Sequence, residues 1–362
     1  MTALVAGTPA VAVTVADRPV PERSTAGLLA ELRRLYRQTE AATEAYNATG
    51  EELDRQRARV RRLDRRLAAA RRSLRDGRTA AGLLARQQYR SRTDLSPYLR
   101  LLLASDPRQA LDQGHVIRRV SLERAATVAR LTGGERRADA LAGKARRALD
   151  AQLSLAGRRA AQRDGVRKRL RGVEELLASI GDEELGRIAA LEREEAAGAQ
   201  RRLLASGALD GVRPPTEGGA AALGYAVRQL GKPYAWGAAG PDAYDCSGLT
   251  SRAWAHAGRA VPRTSQEQWA RLPRVPLGRL RPGDLVVYFP EATHVAVYLG
   301  DGLVLHAPRP GAEVKVSPLA ANPVLGAVRP DPEERPLARA RYTPPELPEG
   351  ALDGPDDGYG GN

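Results

Sequence analysis

Cys246 is the single cysteine in a chain of 362 residues, so it cannot be half of an internal disulfide. Two readings compete for it: a small buried hydrophobe, or a nucleophile. It stands in Tyr244-Asp245-Cys246-Ser247-Gly248-Leu249, downstream of the turn-rich stretch from Gly231 to Pro241. The residues that follow predict a helix stopped by Gly258. Asp245 suits the N-cap, which puts Cys246 on the first turn, where unpaired backbone N–H groups and the helix dipole favour a thiolate. A thiolate needs a base, and the chain has only four histidines. His294 opens the alternating run to Leu299, and His306 ends Leu303-Val304-Leu305-His306, with Gly300-Asp301-Gly302 between them as a hairpin loop. Requiring Val295, Val297 and Leu299 to share a core face with Leu303, Leu305 and Ala307 pairs 299 with 303, 297 with 305 and 295 with 307. That register places His294 and His306 diagonally on the opposite face, roughly 7–8 Å apart at Cα. The chemistry these residues suit is acyl transfer, with Cys246 as nucleophile, His294 as general base and then acid, and His306 orienting His294. It requires a reachable sulfur and both rings on one side of the sheet.

Six ordered segments carry a resemblance. Lys232-Pro233-Tyr234-Ala235-Trp236-Gly237, Asp245-Cys246-Ser247-Gly248-Leu249, Pro262 to Gln268, Arg281-Pro282-Gly283-Asp284-Leu285-Val286, His294 to Tyr298 and His306-Ala307-Pro308 resemble the signature blocks of the NlpC/p-sixty family of papain-like peptidoglycan cysteine peptidases. The resemblance covers about residues 219–330. It implies a Cys-His-His triad of Cys246, His294 and His306. It also implies Tyr234 beside the oxyanion hole, with Asp245 and Ser265 holding the amino end of a stem peptide. The bond implied is the one between D-glutamate and the diamino acid, cut through an acyl-enzyme with neither cofactor nor metal. Amidases that cut the sugar–peptide bond and acyltransferases use the same core, and a non-catalytic wall scaffold is a further alternative. Many members carry Trp-Gly-Gly where this chain has Trp236-Gly237-Ala238, so one side of the cleft is expected to differ.

These residues need a frame. The segment 219–330 reads as a small α+β domain, helices first and an antiparallel sheet after them. Its helices are expected at Ala220 to Leu230, after Cys246, and at Pro262 to Leu272. Its strands are expected at Leu285 to Phe289, at the hairpin, at Val314 to Val316 and at Leu325 to Val328. Residues 207–218 form a Pro/Gly linker. Upstream, from Leu28, apolar or small residues recur in alternating steps of four and three through Leu53, Gln56, Val60, Leu63, Leu67, Ala70 and Leu74, the spacing of a coiled coil. The pattern breaks at Ser96-Pro97 and Asp106-Pro107, with a short helix Tyr98 to Ala104 between, and a second arm follows from about Val116 to Leu204. Residues 24–206 therefore read as a coiled-coil helical hairpin. Exported wall hydrolases of the family resemble this layout, which points to a secreted, cell-wall location and to a regulatory membrane or division partner acting through the coiled coil. Residues 1–23 read as a signal remnant or disordered segment, because the small apolar run lacks a preceding Lys or Arg. Residues 331–362, rich in Pro, Gly and acids, read as a disordered tail.

The net charge is +14. The arginines of the arms alternate with Glu and Asp, aromatic residues are scarce there, and no base-reading motif occurs, which argues against a specific nucleic-acid partner. Anionic wall polymers or a membrane surface remain as electrostatic partners.

Overall fold

Thr25 to Arg90 form one helix of 66 residues, α1, free of proline and rich in Ala, Leu, Arg, Glu and Gln, which lose little side-chain freedom in a helix. Ser24 starts it, its Oγ accepting the Gly27 N–H at 3.2 Å. Helix α2 (Pro107–Ala178) opens with proline at its first position, where no N–H is missed. Helix α3 (Asp182–Ala205) follows a break at 179–181 and carries Asp182, Glu183 and Glu184 in its first turn, against the positive end of its dipole. This computed structural model describes residues 24–90, 107–211, 213–348 and 351. The expected signal remnant and the short helix Tyr98 to Ala104 lie outside the described residues.

The chain divides into two units, one of residues 42–167 and one combining residues up to 41 with those from 168 onward. In the first, α1 and α2 run antiparallel. Arg159 lies over the Tyr46 ring, Gln56 Nε2 donates to the Ala148 carbonyl at 2.7 Å, and Arg78 pairs with Glu135 at 2.5 Å. Along α1, Leu53 and Gln56 are buried and Val60, Leu63, Leu67, Ala70 and Leu74 half-buried, so the stripe fades toward the far end of the helix. The second arm is not continuous as expected: Gly181, in extended backbone, ends it and starts a new helix. In the second unit, Leu28, Leu29, Leu32 and Tyr36 of α1 close over Val173, Leu176 and Ile188.

The rest of that unit is an α+β domain. Helices α4 (Glu217–Val227), α5 (Cys246–His256) and α6 (Ser265–Arg271) precede strands β1 (Arg274–Val275), β2 (Leu285–Tyr288), β3 (His294–Gly300), β4 (Leu303–His306), β5 (Lys315–Pro318) and β6 (Val324–Val328). The sheet is antiparallel throughout, in the order β1-β6-β2-β3-β4-β5. Val297 pairs with Leu305 as the apolar pattern requires, but a bulge after Tyr298 sets Gly300, not Leu299, opposite Leu303.

Leu285, Val287, Val295, Val297 and Leu305 pack under α4 and α5 around Leu223, Leu249 and Trp254. The other face is covered too. Val286, Tyr288, Ala296, Tyr298 and Val304 form a second core with Leu203 of α3 against it, and Gln200 ties α3 to the Gly302 carbonyl and the Ala320 N–H. Simple alternation foretells one dry face; α3 supplies the cover for the second.

The tail beyond 330, expected to be disordered, lies against the domain as far as it is described. Arg281 is paired with Asp331 at 2.8 Å, Asp331 bonds Thr216 at the α4 N-cap, Arg259 meets Glu333, and the Leu337 N–H donates to the Pro215 carbonyl. Asp331, which composition assigned to a solvated segment, serves here as the partner of the buried Arg281, and either alone would leave an uncompensated charge.

Candidate active site

Cys246 is the first residue of α5, and the turn before it is built for that purpose. Asp245 takes extended backbone at the N-cap and accepts the Gly248 N–H at 2.6 Å. Gly248 must be glycine because a Cβ there would collide with the Ala238 carbonyl oxygen. Arg263 forks onto the same carboxylate, 2.9 Å to Oδ1 and 2.7 Å to Oδ2, and onto Ser247 Oγ at 2.9 Å. Asp245 is wholly buried, so this pair fixes the helix start from within. Arg263 lies within the segment Pro262 to Gln268, but its partner is 18 positions away and no local pattern announces the pairing.

His294 and His306 meet. His294 Nε2 lies 2.8 Å from His306 Nδ1, with the rings 5.1 Å apart at 76°. They share the face that the hairpin register assigned to them. Beyond them, His306 Nε2 lies 3.0 Å from Ser317 Oγ on β5, an outer partner the sequence reading missed. A serine in a short strand carries no pattern of its own.

His294 Nδ1, the other nitrogen, makes no hydrogen bond and lies 3.7 Å from Glu40 Oε1 on α1. Burial, and secondarily His306, hold the His294 pKa well below the usual imidazole value, so the ring is neutral. Tyr36 of α1 lies under Arg309, 4.8 Å from guanidinium to ring centre, and Arg309 is paired with Glu192 of α3 at 3.0 Å. Burial raises the Tyr36 pKa. Tyr36, Glu40, Glu192, Arg309 and His306 line a cleft of about 1150 Å³.

The remaining expected residues fall as follows. Tyr234 is buried in the apolar cluster that contains Cys246 and bridges to Tyr244, two positions before it. Ser265 is the first residue of α6 and fully buried. Gln268, one turn on, bonds Thr250 and the Ser247 carbonyl, docking α6 onto α5. Cys246 is 3% exposed, so the sulfur that the chemistry needs at the surface is covered in this conformation. Helix α5 packs against β3. Among the described residues, no three His, Cys, Asp or Glu side chains are grouped as metal ligands, and no helix is long and apolar enough to cross a membrane.

A family model described as NlpC/P60 family matches residues 231–326. The chain carries an NlpC/P60 domain. A probable endopeptidase of Corynebacterium glutamicum is 42% identical over 116 residues, 32% of this chain and 56% of that protein. A probable endopeptidase of Mycobacterium tuberculosis is 40% identical over 121 residues, 33% of this chain and 31% of its own. The chain thus spans about half or less of these relatives. Among solved structures, the NlpC/p60 domain of the peptidoglycan hydrolase SagA is 32% identical, over 31% of this chain and 97% of that one, with a TM-score of 0.29. RipD from Mycobacterium tuberculosis, described as a non-catalytic NlpC/p60 domain protein adapted to peptidoglycan binding, is 31% identical over 31% of this chain and 96% of its own, with a TM-score of 0.29. The matched NlpC/P60 region contains Cys246, His294 and His306, while α1 to α3 lie outside it.

Proposed function

We propose that the protein is a peptidoglycan hydrolase, a cysteine endopeptidase that cuts stem peptides between D-glutamate and the diamino acid at the cell wall. The observation that carries this reading is the histidine pair: His294 is tied through Nε2 to His306 and keeps Nδ1 without a hydrogen bond, in a domain whose relatives are named endopeptidases. Cys246 loses its proton to His294 Nδ1 and attacks the carbonyl carbon. The tetrahedral oxyanion is held by the Cys246 N–H beside Tyr234. The C–N bond then breaks as His294 returns the proton to the leaving amine, and water, deprotonated by His294, releases the acid and the thiol. Asp245 and Ser265 lie on the aminoacyl side, Asp245 acting there together with the Arg263 guanidinium that already engages it.

The same reading makes this conformation a silent one. Cys246, His294 and His306 are all buried, and Glu40 stands at the nitrogen that must take the thiol proton. A regulatory partner drawing on α1 would uncover them, and the basic arms would hold the protein near anionic wall polymers or a membrane surface. Digestion of purified sacculi tests both parts. Wild-type chain should release stem-peptide fragments whose masses place the cut at the D-glutamyl bond, Cys246→Ala should release none, and Glu40→Ala should act faster than wild type. Masses from cleavage of the sugar–peptide bond would transfer the assignment to an amidase. Wall binding with no release by any of these proteins would leave the non-catalytic scaffold.

A further inference from the structure

The proton positions in the histidine pair are set from outside it. For His294 to act as a base its Nδ1 must carry a lone pair, so its one ring proton must sit on Nε2. That proton points at His306 Nδ1, 2.8 Å away, which must therefore accept. His306, being neutral, then carries its own proton on Nε2, and that proton needs an acceptor. Ser317 Oγ is 3.0 Å from this nitrogen and 2% exposed. Were the serine to donate instead, His306 would hold its proton on Nδ1, His294 would accept at Nε2, and the single proton of His294 would occupy the nitrogen needed for the thiol. The same chain serves after the proton has moved, because an imidazolium at His294 has two N–H groups and still needs His306 to accept.

Ser317 sits where the ladder demands. His306 pairs with Lys315 and Val304 with Ser317, so His306, Lys315 and Ser317 share one face of two adjacent strands. We propose that Ser317 is a positioning residue of the active site, which by accepting from His306 Nε2 selects the tautomer of both histidines and so makes His294 Nδ1 the base. It acts through His306 and touches no reacting atom.

This inference rests on the peptidase reading for its catalytic consequence, but its first test does not. With four histidines in the chain, two-bond 15N–1H spectra of the full-length protein distinguish the tautomer of each ring. Wild type should show His294 and His306 protonated on Nε2. Ser317→Ala should give a mixed population at His306, and Ser317→Thr, which keeps the oxygen, should restore it. On soluble stem-peptide fragments Ser317→Ala should lower kcat about tenfold with KM unchanged, the lower end of what losing an outer partner of a working imidazole costs in metal sites, and Ser317→Thr should recover most of it. Unchanged tautomers and unchanged kcat in Ser317→Ala overturn the proposal. The stated tautomers with no hydrolysis by either wild type or Glu40→Ala would remove the peptidase reading alone.

Discussion

The hairpin unit of residues 42–167 and the NlpC/P60 domain solve burial in opposite ways. In the domain, Leu285, Val286, Val287, Val295, Ala296, Val297 and Leu305 are all 0% exposed, and two apolar layers enclose the sheet. In the hairpin, burial is a single stripe between two helices, one of whose members is Gln56, while Leu122 is 65% and Val128 63% exposed. Its ion pairs, such as Arg55 with Glu52 and Arg57 with Asp54, are exposed i,i+3 pairs worth only a few tenths of a kcal/mol. A stripe is readable in a sequence because it is periodic, yet it holds little per residue. A two-sided core holds more and is less readable, because the second cover comes from residues far away in the chain.

All three tryptophans, Trp236, Trp254 and Trp269, belong to the domain. Their fluorescence reports it alone, while far-UV circular dichroism is dominated by the long helices, so the contrast can be measured. Leu305→Ala should have the largest effect, lowering the fluorescence-detected stability by about 2–5 kcal/mol through lost burial and a residual cavity while leaving the main helical transition in place. Coincident shifts in both signals would mean that the two regions unfold as one and would break the comparison.

Arg263→Ala should come next, costing about 2–3 kcal/mol by fluorescence. The Asp245 carboxylate, fully buried, would keep only its backbone and serine partners, and the loss is less than for a wholly buried pair because Arg263 is itself 15% exposed. Arg263→Lys should recover little, since one ammonium cannot span both carboxylate oxygens. Full recovery would show that only the charge matters at the α5 N-cap.

The domain should also be the pH-sensitive part. His294 has a folded pKa well below its unfolded value of 6.5, so below that pH the unfolded chain takes up a proton that the folded domain refuses. The stability is fully present above about 6.5 and falls as pH drops toward the folded value, by at most about 1.4 kcal/mol per pH unit for this one group. Midpoints of urea unfolding by fluorescence between pH 7.5 and 5.5 should fall, and His294→Asn should flatten that slope. An equal slope in the variant would place the dependence on other groups.

Much of this was legible beforehand. Asp245-Cys246-Ser247-Gly248 foretold a capped helix because cap and glycine act within one turn. The histidine pair followed from a two-residue period, and the α1 seam from its three–four spacing. What escaped reading was non-local. Glu40 falls beside the seam, between Thr39 and Ala42, and reads as one more solvated charge until α1 is laid against His294. Ser317 and Arg263 act across a ladder and across a loop. The cover that α3 gives the sheet could not be inferred, since an amphipathic stripe states that it must be buried but not against what. The tail, judged by composition, was read as free because its buried partners Arg281 and Thr216 lie more than 40 positions upstream.

The smallest effect is expected where the hairpin is most exposed. Val128→Ser removes an apolar side chain that has water over most of its surface, so little transfer free energy is at stake. The substitution also exchanges one mediocre helix former for another of similar propensity. The helical transition should move by less than about 0.5 kcal/mol. The same exchange at Val166, which is 0% exposed on the stripe of α2, should cost several times more, since there a hydroxyl would replace two methyl groups in a dry contact. The ratio of the two effects measures how one-sided the hairpin is in solution. A ratio near one, with Val128→Ser costing more than about 1 kcal/mol, would mean that the face carrying Leu122 and Val128 is covered in solution and that the hairpin, like the domain, is enclosed on both sides.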